Sequence, residues 1–446
     1  MPRKPNAPLP QPLFSEPVFA EGVPTPDPNT FRQPHPSDKK LYDQIQDLLT
    51  KDVVSFSAAR GKPGDIFSLQ TALGDPGAAA VKAIQSAGQI VFHAAGDTGC
   101  SNVKKYTNEL SIADHLANDC HISPKGSVPS FLYHLGDVVY DFGESQYYYD
   151  QFYEPFRDYP APIFAIPGNH DSFVVPATKA ADFPLVIFAR NFCNTKTVVT
   201  KEAGPLYRTS MTQPGLYFTL DAPFVRIIGL FSNALEDPGI ISSEKGKWKA
   251  VPDVQLAYLT AQLQLIKAQK YAGAVILAVH HPPFCYDPPK NVTGAGGNHS
   301  SSTPMLRDID TICQSQGVYP HAFLTAHAHN YQRYTRKLNF AGAQYSVPFI
   351  VCGDGGHNVN PLVQARKGKP TPPDPTPHQD VTYMDTDPAV QSTGLTIEKF
   401  DHTNYGYLRI TVDKNQLRIE FHPVGQTATQ VGVDTVTIDL ASHSII

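Results

Sequence analysis

The sequence predicts an α/β fold in which buried strands alternate with helices behind a Pro-rich N-terminal arm. Three observations carry this expectation. From about residue 76, apolar runs of strand length alternate with helical stretches, as in βαβ units with largely parallel pairing and both sheet faces covered. Residues of a narrow chemical set (Asp, Asn, His and Tyr) stand where those apolar runs stop. After residue 345 the pattern turns to β.

Along the chain, residues 1–37 carry prolines too densely for a regular helix or a central strand, and read as an extended arm. "PSDKKLYDQIQDLLTK" reads as a short amphipathic helix with Ser37 as N-cap. Residues 38–87 are therefore expected to be a helical segment packing on a main domain over 88–446. "DPGAAAVKAIQSA" is helical, and "GQIVFHAAGD" is a buried strand that stops at Gly-Asp. "ELSIADHLAND" reads as a helix, "SFLYHLGD" as a second strand ending in Gly-Asp, "ESQYYYDQFYEPF" as a helix and "APIFAIPGNHD" as a third strand. An antiparallel hairpin over "GLYFTLDAPFVRIIGLFS" precedes the helix "VPDVQLAYLTAQLQLIKAQK", the strand "GAVILAVHH", the helix "STPMLRDIDTICQSQ" and the strand "HAFLTAHAH". The β-rich end holds "QYSVPFIVCGDGG", "GLTIEKF" and a hairpin turning at Asp-Lys-Asn between "YLRITV" and "QLRIEF".

Composition narrows the function. Of 446 residues, 41% are hydrophobic and 17% charged, enough for a sizeable core. The net charge is −5 with no Lys/Arg stripe, which argues against nucleic acid as a partner. No apolar run is long enough to span a bilayer, and no apolar stretch of signal-peptide type precedes the first prolines, so the cytoplasm is the default expectation and no membrane partner is expected. Oligomeric state is left open. The six cysteines form no C-x-x-C pair and read as buried thiols, with Cys100 and Cys120 the pair to test for a bridge.

Five segments concentrate the chemistry: "AAGDTG" with Asp97, "LGDVVY" with Asp137 and Tyr140, "PGNHD" with Asn169, His170 and Asp171, "LAVHHPP" with His280 and His281, and "LTAHAHN" with His327 and His329. Loops after the carboxyl ends of parallel strands meet on one sheet edge, where such folds bind ligands. Taken alone, a Gly-Asp at a strand end is an ordinary cap or turn. Two of them with an Asn and several histidines form an oxygen and imidazole donor set that suits Fe(III), Zn(II) or Mn(II). There are too many donors for one ion, and two ions sharing a carboxylate fit the number.

These blocks, in this order, resemble the calcineurin-like metallophosphoesterases, and within them the purple acid phosphatase branch. The family's G-D-x-G, G-D-x-x-Y, G-N-H-(D/E), V-x-x-H and G-H-x-H stand here as Gly96-Asp97-Thr98-Gly99, Gly136-Asp137-Val138-Val139-Tyr140, Gly168-Asn169-His170-Asp171, Leu277-Ala278-Val279-His280 and Ala326-His327-Ala328-His329. The resemblance implies a two-sheet β sandwich flanked by helices (αββα). It implies Fe(III) held by Asp97, Asp137, Tyr140 and His329, and Zn(II), Mn(II) or Fe(II) held by Asp137, Asn169, His280 and His327. The implied activity is hydrolysis of a small-molecule phosphate ester by in-line attack of a metal-bound hydroxide. The most direct reading is an acid phosphatase-like phosphomonoesterase. A phosphodiesterase or phosphotriesterase on the same metals, or a silent metal-bearing binding protein, are the alternatives. His170 is implied to bind a phosphate oxygen or protonate the leaving group, with Asp171 orienting it. His299, in "GAGGNHSSS", is either a second active-site histidine or a surface loop residue. His357, in "CGDGGHN", reads as a turn more than as a pocket residue.

Two departures stand out. Gly99 occupies a position where most metallophosphoesterases outside this branch carry a histidine, and the resemblance implies that Tyr140 supplies the replacement donor, as in the purple branch. Ala326 replaces the glycine of the last block.

Overall fold

The computed structural model describes residues 59–446 apart from 101, 141, 173–182, 234, 236–237, 250, 287–300, 361, 363, 367–368, 372–377, 380–389 and 425–432. The arm expected over 1–37, the helix expected from residue 38, and His299 lie outside the described residues.

Strand β1 (Phe67–Ser68) leads into a short helix α1 (Leu69–Ala72), where the Ser68 hydroxyl accepts from the Thr71 amide, and then α2 (Gly77–Ala87). Next come β2 (Gln89–Ala95), α3 (Val103–Ile122), β3 (Leu132–His134), β4 (Ile163–Ala165), α4 (Pro184–Phe192), β5 (Phe218–Ala222) and β6 (Val225–Leu230). They are followed by α5 (Val254–Ala268), β7 (Ala274–Val279), α6 (Thr303–Gln316), β8 (Ala322–Thr325), β9 (Tyr331–Phe340) and β10 (Ala343–Cys352). A small ribbon of β11 (Gln364–Arg366) and β12 (Lys369–Thr371) precedes β13 (His378–Gln379), β14 (Gln391–Asp401), β15 (Tyr405–Asp413), β16 (Gln416–Val424), β17 (Asp434–Asp439) and β18 (Ser444–Ile445).

The strands form two large sheets, ordered β1-β5-β6-β7-β8-β10-β9-β14-β13 and β18-β17-β16-β15-β2-β3-β4. Pairing is parallel through β2-β3-β4 and β6-β7-β8-β10, and antiparallel in both expected hairpins, β5/β6 and β15/β16. The period-2 pleat sorts apolar side chains between two layers. Ile227, Ile276, Leu324 and Ile350 join the core that also takes Phe92, Leu132 and Phe164 from the other sheet. Their strand neighbours Ile228, Leu277, Phe323 and Phe349 pack instead with Leu259 and Leu263 of α5 and Leu306 and Ile309 of α6. Helix α3 covers the second sheet at β15 and β16. The expected αββα sandwich is therefore the observed architecture. No helix among the described residues is long and apolar enough to cross a membrane. All six cysteines are buried free thiols, so Cys100 and Cys120 are not bridged.

The structure departs from the sequence reading in three places. "ESQYYYDQFYEPF" is not one α-helix: it makes a tight 3-10 turn over Ser145–Tyr147 and then a single wide turn over Tyr149–Tyr153. Burying Tyr147, Tyr148, Phe152 and Tyr153 together takes precedence there over regular helical spacing. "PLVIFARNF" forms α4, started by Pro184 in its first turn. The β-rich part begins at Tyr331, earlier than expected, because "YQRYTRKLNF" hides a strand behind its arginines. Arg333 pairs with Asp434, and Arg336 pairs with Asp310 and Tyr319, so both charges lie buried inside the sheet system.

Candidate metal centre

The five expected donor-bearing loops leave the carboxyl ends of parallel strands, and the two sheets contribute different chemistry. Asp97 follows β2, Asp137 follows β3, and Asn169 and His170 follow β4, all in one sheet. His280 follows β7, and His327 and His329 follow β8, in the other. The edge of the sandwich thus brings oxygen donors from one layer against imidazoles from the second. Backbone hydrogen bonds lace the two edges together, with the Gly96 amide donating to Cys352 O and the Gly355 amide donating to Gly96 O.

The donor atoms gather in two clusters. Tyr140 Oη stands 2.8 Å from Asp97 Oδ1, 2.8 Å from Asp137 Oδ2 and 3.1 Å from His329 Nε2. His329 Nε2 is 3.3 Å from Asp97 Oδ1. In the second cluster, Asn169 Oδ1 lies 3.1 Å from His280 Nε2 and 3.0 Å from His327 Nδ1, while His280 Nε2 is 3.4 Å from Asp137 Oδ2. Asp137, His280 and His327 each offer a ligand atom within 4.8 Å of the other two. Asp137 Oδ2 belongs to both clusters. Its other oxygen, Oδ1, accepts the His170 amide at 2.9 Å, so the carboxylate cannot turn to present a different atom.

Neighbouring groups fix these donors. His280 Nδ1 lies 2.8 Å from Leu135 O, which makes that nitrogen the donor and leaves Nε2 with its lone pair toward the cluster. Asp97 Oδ2 accepts the His327 amide at 2.7 Å. Gln151, carried on the wide turn, accepts the Tyr140 amide and donates to Tyr140 O. Asp171 spends its carboxylate on the amides of Val138, Val139 and Gly168, tying the second block to the third. Asp97, Asp137 and His327 all hold left-handed backbone, with φ of 55°, 56° and 67°. That conformation is uncommon for side chains other than Asn, Asp and His, and strain of this kind gathers at functional sites.

The electrostatics are those of an anionic cluster short of cations. Burial alone would raise the Asp137 carboxyl, but the nearby His280 and His170 hold it well below the usual range. Burial would lower His280, yet the Asp137 carboxylate outweighs it and lifts the imidazole to about 9. Tyr140, buried and facing Asp137 and Asp97, is pushed far above the ordinary phenol value. Burial and the Asp137 charge raise Asp171 to about 7, against the pull of its amide donors. A donor set of two carboxylates, a phenol, an amide oxygen and three imidazoles fits two cations of the hard-to-borderline class.

Other histidines sort clearly. His281 is held by Ser232 and Leu235 O, a structural position. His170 lies against the Tyr140 ring, with centroids 4.2 Å apart. His357, expected as a turn residue, stacks on Tyr140 with centroids 3.5 Å apart and planes 19° off parallel. Its Nε2 is 2.6 Å from Lys105 Nζ. Lys105 gave no signal in the sequence, because "NVKKY" at a helix start reads as solvated charge. Only the folding of the "CGDGGHN" turn after β10 over the first block brings the two together.

The two departures from the family pattern have a steric logic. A Cβ at Gly99 would lie 3.0 Å from Tyr140 Cδ2 and 2.6 Å from Val138 O, so the tyrosine ring takes up room a side chain at 99 would need. A Cβ at Gly96 would come within 2.4 Å of the Ala326 methyl, which fills the space between the two turns.

A family model described as calcineurin-like phosphoesterase matches residues 90–331, more than half of the chain. No curated protein matches the chain. Among solved structures, the chain is similar to PhoD, with 13% identity, a TM-score of 0.44, and coverage of 79% of this chain and 70% of that one. It is also similar to GAP50, the anchor in the inner membrane complex of Plasmodium, with 11% identity, a TM-score of 0.44, and coverage of 78% and 89%.

Gly99→Ala is expected to force the Tyr140 ring away from the carboxylates and to cost about 1–3 kcal/mol of stability. Denaturant unfolding, with a crystal structure of the variant, checks this, and an unmoved Tyr140 at unchanged stability would contradict it.

Proposed function

The chain belongs to the calcineurin-like phosphoesterase family, and from that premise we propose that it is a metal-dependent phosphomonoesterase of the purple acid phosphatase type. The observation that carries this reading is one oxygen, Asp137 Oδ2, common to two donor clusters of which one contains a phenol. Asp97, Asp137, Tyr140 and His329 would hold Fe(III), and Asp137, Asn169, His280 and His327 would hold Zn(II), Mn(II) or Fe(II). Two such cations would supply Lewis acidity, drawing charge from the phosphoryl group and acidifying a water for in-line attack.

The chain's own residues do the remaining work. Asp137 is pinned through Oδ1 so that Oδ2 stays between the clusters. The Leu135 carbonyl keeps His280 in the tautomer that offers Nε2. His170, beside Tyr140 at the accessible edge, donates a hydrogen bond to a phosphoryl oxygen or a proton to the departing oxygen. Asp171 acts on His170 through the backbone, by fixing the turn that carries it. His299 keeps its place in the proposal as a second proton donor. A monoester carries more negative charge than a diester. The edge bears imidazoles and the Lys105 ammonium, which favours the more highly charged substrate.

Rates on aryl phosphate mono-, di- and triesters test the substrate class, and the monoester is expected to lead. Chelation should abolish turnover and metal should restore it. His170→Ala should lower kcat by about 10²–10⁴-fold while two metals per chain remain, and unchanged turnover would remove its role. The iron-loaded protein should show a broad visible band that Tyr140→Phe eliminates. A band that survives the substitution would rule out the purple branch.

A further inference from the structure

The edge of the sandwich opposite the donor atoms is closed by a stack of three rings. His321 stands just before β8, whose far end leads to His327. Tyr345 lies near the start of β10, which runs parallel to β8 in the same sheet. Between these two rings sits the imidazole of His443, from the turn that joins β17 to β18 in the other sheet. Its centroid is 3.9 Å from that of His321 and 4.2 Å from that of Tyr345, with planes 16° and 8° off parallel. Two hydrogen bonds follow the same seam. The Ser346 amide donates to His443 O at 2.9 Å, and His321 Nε2 donates to Leu440 O at 3.1 Å.

Both imidazoles are set to be neutral. His321 is buried, and its Nδ1 accepts the Val275 amide at 2.9 Å, so the hydrogen is on Nε2. A proton arriving at Nδ1 would meet that N–H and bring a charge into a buried ring. His443 holds left-handed backbone, with φ of 50°, and its Nδ1 is buried without a hydrogen-bond partner. A charge there would also be unpaired, and two charged rings in face contact would repel. Three elements face the pair. β17 brings Asp439, whose carboxylate accepts the Ser442 hydroxyl and amide and is held by them below the usual range. β10 brings the Tyr345 phenol, which burial raises, and β7 brings the Val275 backbone. Asp439 favours protonation of the pair, but burial outweighs it and lowers His321 to about 4 and His443 to about 3.

We propose that the stack of His321, His443 and Tyr345 is an acid-sensitive latch, in which protonation of the imidazoles frees the β17–β18 turn from the edge of the first sheet. The neutral rings are the ones that pack. Both folded values lie below the ordinary 6.5, so the stabilisation is complete above that pH and is lost as the pH falls toward 4. Opening breaks the Leu440 and Ser346 hydrogen bonds together, because both end on the segment that carries His443. It parts the two sheets at the edge away from the metal ligands, whose own contacts lie at the other ends of the strands.

The test is amide hydrogen exchange of the full-length, metal-loaded protein at pH 7.5 and 4.5, corrected for intrinsic rates. The amides read are those of β17, β18 and Ser346. In the wild-type protein their opening is expected to rise at pH 4.5 by up to about a hundredfold for each imidazole that takes a proton. Asp439 stays charged at both values, so it adds nothing to the change. His443→Phe keeps a ring in the stack but does not titrate, and should cut the rise by about tenfold or more. Adding His321→Gln, which offers a donor and an acceptor that do not titrate, should abolish it. Metal ligands also take protons in this range, so variant and wild type are compared at the same pH. If the double variant does not fold at pH 7.5, His443→Phe alone decides. No acid-dependent opening in the wild-type protein, or the same opening in His443→Phe, would overturn the latch.

Discussion

A phenol has one hydrogen, yet Tyr140 Oη stands 2.8 Å from an oxygen of each of two buried carboxylates. Those two oxygens can be no farther apart than the two contacts laid end to end. At that range two like charges repel by roughly 3 kcal/mol even at an effective dielectric of 20. Against a total stability of about 5–15 kcal/mol, such a pair persists only if the surrounding structure enforces it. His280, lifted by Asp137, offsets part of the charge while it holds its proton, and a bound cation would take the place of that proton.

The enforcement is spread over both sheets. Three residues of the centre accept left-handed backbone so that their side chains turn inward from the strand ends. Asp171 locks three amides of two turns, Gln151 grips the Tyr140 backbone from both sides, and Asp97 reaches across to the His327 amide. Some of these contacts are local, such as Gly168 with Asp171, but the Asp97 bond to the His327 amide joins turns of different sheets, so the complete centre forms only when the sandwich closes. The contact of Lys105 with His357 is likewise long-range: α3 supplies the lysine and the turn after β10 the imidazole.

Much of this was legible in the sequence. Asp97, Asp137, Asn169, His280, His327 and His329 each stand where an apolar run stops, and an apolar run of strand length is a strong local signal. Gly99 and Tyr140 could be read together because they lie in two short blocks, and the structure sets the tyrosine ring where a side chain at 99 would need room. What could not be read depends on contacts between distant segments. Arg333 and Arg336 lie in β9, a strand without a clear apolar run, and their buried partners Asp434 and Asp310 come from other elements. The tyrosine-rich stretch looked helical because its aromatic spacing does not reveal a wide turn that aims Gln151 at Tyr140. His357 read as a turn residue because nothing local places its ring on Tyr140.

The central claim is that Asp137 Oδ2 is the oxygen shared by two metal ions. Anomalous diffraction from crystals of the metal-reconstituted protein addresses it most directly. The account predicts two peaks about 3.5–4 Å apart on either side of Asp137 Oδ2, one in contact with Tyr140 Oη and the other between His280 Nε2 and His327 Nδ1. A single peak, or a pair that leaves Asp137 unbridged, would contradict it.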